Sequence, residues 1–329
     1  MRTLLLLPLA GLLLAFIPQE KFVPPKSWDM RQSYSVGQPW KDLSIPAGQS
    51  GVTFIFSAEK TGLNDTVLSS IQLGYNNDQR TIRLSAGGKY NLLLKPGKYV
   101  FRFFFNSNHA EVTTDTIQLR PGFRTPIAVD FPSTYFPVYT YKPVIYVYPP
   151  QTQAVSIQLT NNGPLDFTYP AYHNGWNFTA DPDGTLHMNG RTYSYLYWDA
   201  QTAISKSAAD WSAGFVVEKD SLVPFFETKL SAMGLSPREM EDYITYWVPR
   251  MNANEKNYIH FSCNEEYAQF ASLKITPQPD QLFRVYMTWS KADETVTVHP
   301  QTLPSFQRNG FTVVEWGGTE MPQQPVNAL

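Results

Sequence analysis

The stretch Lys89–Phe105, KYNLLLKPGKYVFRFFF, decides the fold of the first half of the chain. Tyr90, Leu92 and Leu94 alternate along its first arm, and Tyr99, Phe101, Phe103 and Phe105 along its second. A period of two belongs to a strand with one buried face. Between the arms, Lys95-Pro96-Gly97-Lys98 is a turn, because proline presets φ and glycine accepts backbone angles that other residues resist. The stretch therefore predicts a β-hairpin.

The same pattern extends outward. GVTFIFS (51–57) offers Val52, Phe54 and Phe56 on one face, and SIQLGY (70–75) offers Ile71, Leu73 and Tyr75. TDTIQLRPGFRTPIAVDF (114–131) repeats the strand–turn–strand reading at Pro121-Gly122. Roughly six or seven short strands, with turns about every ten residues, predict an antiparallel β-sandwich over residues 45–131. The next residues, 132–142, carry Pro132 and Pro137 without helical period and read as a linker.

Residues 143–318 read as a second, α+β domain. In KPVIYVYPP (142–150) both faces are apolar, which predicts a central strand. AVSIQL, LDFTY, WNFTA, TLHM, TYSYLYW, YIHFSC, ASLKI, LFRVYMTW, ETVTVH and GFTVVEW supply further strands of a largely antiparallel sheet. Asp181-Pro182-Asp183-Gly184 reads as a turn between two of them; as a calcium loop it would lack the glutamate at the twelfth position. Two helices are inserted. The first starts at Ser221, buries Phe226, Leu230 and Met233, and ends at Gly234. The second has Ser236 as N-cap, Pro237 at its first position and Glu239 closing a capping box, with Met240, Tyr243, Ile244 and Trp247 as its stripe and Pro249 at its end. The chain as a whole reads as mainly β.

The ends and the composition bear on location. MRTLLLLPLAGLLLAFIPQE begins with a basic residue and a short apolar run, as a signal peptide (1–19) does. It has no lipobox cysteine, so a secreted or periplasmic protein without a transmembrane anchor is expected after its removal. Residues 20–44 form an extended lead-in and 319–329 a tail. A net charge of -2, and the acidic start of the second helix, argue against nucleic acid as a partner. Aromatics make up 15% and charged residues 16%, the profile of a β-rich extracytoplasmic protein.

The chemistry is less legible. H-E-x-x-H, G-x-S-x-G, P-loop and dinucleotide signatures are missing, and the five histidines have no metal-ligand spacing, so neither metal nor cofactor is expected. Cys263, the sole cysteine, alternates with Ile259 and Phe261 and reads as a buried small hydrophobe, facing away from His260. Carboxylates beside tryptophan stand out: Asp199 follows Trp198, and Glu315 precedes Trp316. Trp176, Tyr195, Tyr197, Trp198 and Trp316 are candidate ligand-binding rings, since aromatic rings stack on apolar sugar faces. Strand packing explains the same residues more simply. Two readings follow. One is a non-catalytic protein that binds a polymer, such as a glycan, or a surface partner. The other is a glycosidase-like hydrolase with Asp199 and Glu315 as paired carboxylates. An envelope assembly factor without a small ligand is a third. Glu315 itself shares a face with Phe311 and Val313, so it either pairs with a buried Lys, Arg or backbone amide as a latch or lines a cleft. The latch is the expected state, because an unpaired buried carboxylate is costly.

Two resemblances add to this. The Leu94-Lys95-Pro96-Gly97-Lys98-Tyr99-Val100-Phe101 turn resembles those of transthyretin-like and carboxypeptidase-regulatory-like sandwiches, which implies a non-catalytic module. KPVIYVYP (142–149), GWNFTADPDGTL (175–186), YSYLYW (193–198), GFVVEKD (214–220), YWVPRM (246–251) and FTVVEWGG (311–318) resemble a family of uncharacterised secreted bacterial proteins. That resemblance implies a domain of its own over the second half and carries no catalytic residue.

Overall fold

The computed structural model describes residues 33–63 and 65–321. The predicted signal peptide, the lead-in before residue 33 and the tail beyond 321 lie outside the described residues.

The first half forms strands β1 (Tyr34–Val36), β2 (Trp40–Lys41), β3 (Ser50–Ala58), β4 (Ser70–Tyr75), β5 (Asp78–Arg83), β6 (Lys89–Leu94), β7 (Gly97–Tyr99), β8 (Phe101–Phe104), β9 (Val112–Thr113), β10 (Ile117–Leu119) and β11 (Phe123–Phe131). One sheet runs β1-β11-β3-β6 with β2 beside β11, a second runs β5-β4-β8-β9, and β7 pairs with β10. Val52, Phe54, Phe56, Ile71, Leu73, Phe101 and Phe103 meet between them, as their alternation predicts. Phe54 packs edge-on against Phe101 and Phe103 at 5.1 and 5.2 Å.

The deciding stretch is a β-arch rather than a hairpin. β6 pairs with β3, while β8 pairs with β4 and β9 in the opposite sheet. Both arms point alternate side chains into one core, so the sequence pattern is the same whether they pair or face each other. The Pro121-Gly122 turn likewise joins strands that do not pair, and β11 runs parallel to β3. Part of the expected lead-in belongs to the sandwich, since β1 and β2 both pair with β11.

The second half comprises β12 (Tyr135–Tyr148), β13 (Gln153–Asn161), β14 (Leu165–Tyr169), β15 (Trp176–Ala180), β16 (Leu186–Met188), β17 (Arg191–Tyr193), β18 (Leu196–Ser205), β19 (Phe215–Glu218), α1 (Leu222–Met233), α2 (Pro237–Met251), β20 (Lys256–Cys263), α3 (Glu265–Ala268), β21 (Ala271–Thr276), β22 (Gln281–Lys291) and β23 (Thr312–Glu320). A seven-stranded sheet runs β14-β18-β12-β23-β22-β20-β19, and a five-stranded sheet runs β17-β16-β15-β13-β21. All pairs are antiparallel except β22 with β23. Ile145 and Val147 of β12 face the smaller sheet, whereas Val144 and Tyr146 face α1 and α2. The apolar run on both faces of this strand thus reflects a layer on each side.

Most of the expected linker is strand. Tyr135 to Thr140 pair with Ser205 to Ala200. Pro137 is tolerated because β23 joins β12 only from Tyr141 onward, which leaves one side of the strand unpaired there. Pro143 falls in a bulge between Thr140 and Val144. The stretch 294–299, expected as a strand, is irregular apart from a bridge between His299 and Ala213. β23 continues through Gly317 and Gly318 to Glu320.

The helix signals act as read. Gly234 takes φ 100° after α1. Ser236 and Glu239 close the capping box, with the Ser236 N–H donating to Glu239 Oε2 at 2.8 Å. Pro249 lies in the last turn of α2 rather than beyond it. The Asp181–Gly184 turn joins β15 to β16, with Gly184 N–H donating to Asp181 O at 3.0 Å.

Candidate functional site

Glu315 forms a buried latch. Its Oε2 accepts from Arg284 Nε at 2.6 Å, and its Oε1 accepts from Trp198 Nε1 at 2.9 Å. Arg284 also donates to Ala271 O at 2.7 Å and lies 4.0 Å from the centroid of the Tyr267 ring. Side-chain exposure is 3% for Arg284 and 0% for Glu315. Both carboxylate oxygens are therefore engaged, away from water, between the two sheets.

Asp199 is on the other side of the seven-stranded sheet. It shares its face of β18 with Tyr197, whose hydroxyl donates to Asp199 Oδ2 at 2.5 Å; Trp198 points the opposite way, to Glu315. The expectation of two carboxylates across one cleft is thereby overturned: a sheet separates them. A hydrolase built on Asp199 and Glu315 has no place to hold its substrate.

Three of the five candidate rings are also corrected. Trp176, Trp198 and Trp316 are 0 or 1% exposed. Trp176 donates to Pro170 O at 2.8 Å, and Trp316 packs edge-on against Tyr243 at 5.1 Å. A ring with no open face cannot stack on a ligand. Gly317 and Gly318, next in the strand, make room for Pro143 and for Trp247. A Cβ on Gly317 would stand 2.9 Å from Pro143, and one on Gly318 2.9 Å from the Trp247 indole.

Tyr195, Tyr197 and Asp199 do come together, around Lys142. This residue sits in the β12 bulge with φ 55°, a left-handed backbone that is uncommon for lysine. Its N–H donates to Asp199 Oδ1 at 2.8 Å. Its ammonium lies 5.0, 5.4 and 5.7 Å from the ring centroids of Tyr195, Tyr197 and Tyr246, within cation–π range. Arg250 covers Tyr246 at 3.6 Å. Burial, and then the bond to Asp199, pushes the Tyr197 hydroxyl well above its ordinary pKa, so it stays a donor.

The surface continues beyond this cluster. The helix-packed core takes in Val144 and Tyr146 of β12 but no residue of β14, so the sheet's helix side is open at that edge. Phe167 pairs across from Asp199, and Tyr169 from Tyr197. Tyr139 and Tyr141 pack at 4.5 Å, and the Tyr139 hydroxyl donates to Asp166. Phe167 meets Tyr197 edge-on at 5.9 Å. Tyr141, Phe167 and Tyr169 are 40, 56 and 51% exposed. A shallow hollow of about 440 Å³ lies beside this strip, lined among others by Gly62, Tyr139, Tyr141 and Gln201. The sequence does not single out Tyr139, Tyr141, Phe167, Tyr169 or Lys142. Their signal was weak: an aromatic strand residue reads the same whether its face is covered or bare.

Cys263 and His260 lie on opposite faces, as alternation predicts. Cys263 is half-buried against the helix-packed core rather than fully buried, while His260 stands 5.0 Å from Trp211 and 2.9 Å from Ala213 O. Burial, then the charge of Glu266, pushes the Cys263 thiol up to about 12, which suits a packed hydrophobe and not a nucleophile.

No protein-family model matches the chain. Over 61 residues it is 41% identical to a protein of Butyrivibrio fibrisolvens described as an uncharacterized protein in the bglA 3' region. The match takes in 18% of this chain and 64% of that protein, so the chain spans less than two thirds of the relative's length. Among solved structures, a DUF3823 family protein from Parabacteroides merdae aligns over 47% of this chain and 99% of its own, at 14% identity and a TM-score of 0.21. A likeness that slight carries no argument about the site. Among the described residues, no helix is long and apolar enough to cross a membrane.

Proposed function

We propose that the protein works outside the cytoplasm as a non-catalytic binder of a glycan polymer, through the open aromatic edge of the seven-stranded sheet. The observation that carries this reading is the exposure of Tyr141, Phe167 and Tyr169 beside half-buried Tyr139 and Tyr197. A bare run of rings on a sheet face is costly to leave in water and marks a contact surface. Asp166, Gln201 and the Tyr141 and Tyr169 hydroxyls give that surface acceptors and donors for sugar hydroxyls, while the rings offer stacking area. The Lys142 N–H to Asp199 bond ties the bulge to β18, which favours a surface formed before the ligand arrives. The apolar leader Leu4–Ile17 supports an extracytoplasmic setting.

The test is affinity electrophoresis of the full mature chain through gels containing soluble plant polysaccharides. Retardation that falls in Phe167→Ala and Tyr141→Ala, with unfolding temperature unchanged, is the expected result. Equal retardation of wild type and both variants would remove this face as the binding surface.

A further inference from the structure

We propose that the sandwich carries a second, separate binding surface, for an uncharged, hydroxyl-rich polymer chain, on the outer face of the β5-β4-β8-β9 sheet. A groove of about 1020 Å³ runs along that face. It is at the upper limit of ligand pockets, which span roughly 300–1,000 Å³, and suits several linked units better than one small molecule.

The groove has a built floor. Gly74 lies opposite Arg102 on β8 and opposite Gln79 on β5. The nearest heavy atom to a Cβ placed on Gly74 would be 3.7 Å away, and Gly74 does not take a positive φ. The missing side chain is therefore not required by packing or backbone; what it leaves is open space at the middle of the groove. Gln72 and Gln79 flank that space, with a bond of 3.2 Å between their amides that fixes both. Phe104, across from Gln72, is a large apolar ring left 36% exposed on an otherwise polar face.

Charge selects the ligand class. Asp78 is already paired with Arg80, which leaves Lys98 and Arg102 on the walls against Glu111, a slight positive excess that gives a polyanion little hold and a polycation none. Amides and one guanidinium give paired donors and acceptors for hydroxyls, and Phe104 gives a stacking face. Among the described residues, Arg102 forms no ion pair that would have to break first.

The experiment uses the full mature chain and three uncharged polysaccharides, barley β-glucan, arabinoxylan and galactomannan, with polygalacturonate as the charged control. Gly74→Tyr fills the groove, while Gly74→Ala shows that the position tolerates a side chain. The expected result is retardation by at least one uncharged polymer, weakened about tenfold or more in Gly74→Tyr and kept in Gly74→Ala. Unfolding temperatures of both variants stay at the wild-type value. The Tyr141→Ala/Phe167→Ala double variant separates the two surfaces. If it alone abolishes retardation and Gly74→Tyr binds like wild type, the groove is overturned and the aromatic edge stands. If Gly74→Tyr alone abolishes it, the groove stands and the aromatic edge falls. Binding to polygalacturonate only, or to no polymer, overturns the groove.

Discussion

Arg284 and Glu315 stand side by side on the two parallel strands β22 and β23, joined at 2.6 Å with neither side chain reaching water. Trp198, from β18, closes the second carboxylate oxygen. Among the described residues it is the carboxylate–guanidinium pair with both side chains buried, and it ties β18, β22 and β23 together.

Removing one partner leaves the other charge buried alone, which costs about 3–5 kcal/mol. Glu315→Leu is expected to lose that much in urea unfolding, and Arg284→Met a similar amount. The double variant Glu315→Leu/Arg284→Met should recover much of the loss, because no lone charge remains. Additive losses in the double-variant cycle would show that the pair is not the unit of stability.

The latch was legible in sequence because alternation alone sets Glu315 among Phe311 and Val313, and a buried carboxylate demands a partner. Which partner it takes was not legible, since Arg284 becomes its neighbour only through a parallel pairing of distant strands. The cores show the same division. The inward residues of β3, β4 and β8 follow from their period of two, but whether Lys95–Lys98 closes a hairpin or an arch depends on long-range pairing. The α2 capping box is local, so it was read to the residue. Trp198 and Trp316 mislead because the seven-stranded sheet is covered on both faces over most of its width, and Trp176 because its side of the five-stranded sheet packs into the core between the sheets. The helix-side face stays bare at the β14 edge, and nothing local marks that edge.

Gly317 and Gly318 should tolerate no side chain, although neither has a positive φ. A Cβ on Gly318 would lie 2.6 Å from Met287 O and 2.9 Å from Trp247. Overpacking of this kind costs about 1–3 kcal/mol. Gly318→Ala is expected to lower the urea midpoint by that equivalent, whereas Gly74→Ala should leave it nearly unchanged. Equal midpoints for both would mean that β22 and α2 yield more easily than packed strands do.

The Cys263 thiol gives a pH signature. Its folded pKa is pushed up to about 12, above its ordinary value. The protonated form is thus the one that the fold favours. Its contribution to stability is complete below the unfolded thiol pKa, about 8.5, and is lost as pH rises toward the folded value. Iodoacetamide at pH 8.5 should therefore alkylate the native protein far more slowly than the urea-unfolded protein. Mass spectrometry showing equal rates would place the thiol in water.

Asp199 tests whether the Lys142 bulge is held by an acceptor or by a charge. Its Oδ1 accepts the Lys142 N–H at 2.8 Å, and its Oδ2 accepts the Tyr197 hydroxyl at 2.5 Å. Lys142 occupies a left-handed backbone, which costs roughly 1–2 kcal/mol for a residue with a Cβ. Something must offset that cost, and the Asp199 bridge spans the bulge. Asp199→Ala leaves both donors without their acceptor and is expected to destabilise by about 1–3 kcal/mol. Asp199→Asn keeps one carbonyl oxygen for the Lys142 N–H and should lose less than half as much. Lys142→Gly relieves the backbone but removes the ammonium from the three tyrosine rings. If the bulge geometry is what presents Tyr141 and Phe167, polysaccharide retardation should survive in Asp199→Asn and fall in Asp199→Ala. Equal retardation in both, with the stability difference intact, would separate the bulge from binding and leave it a purely structural joint.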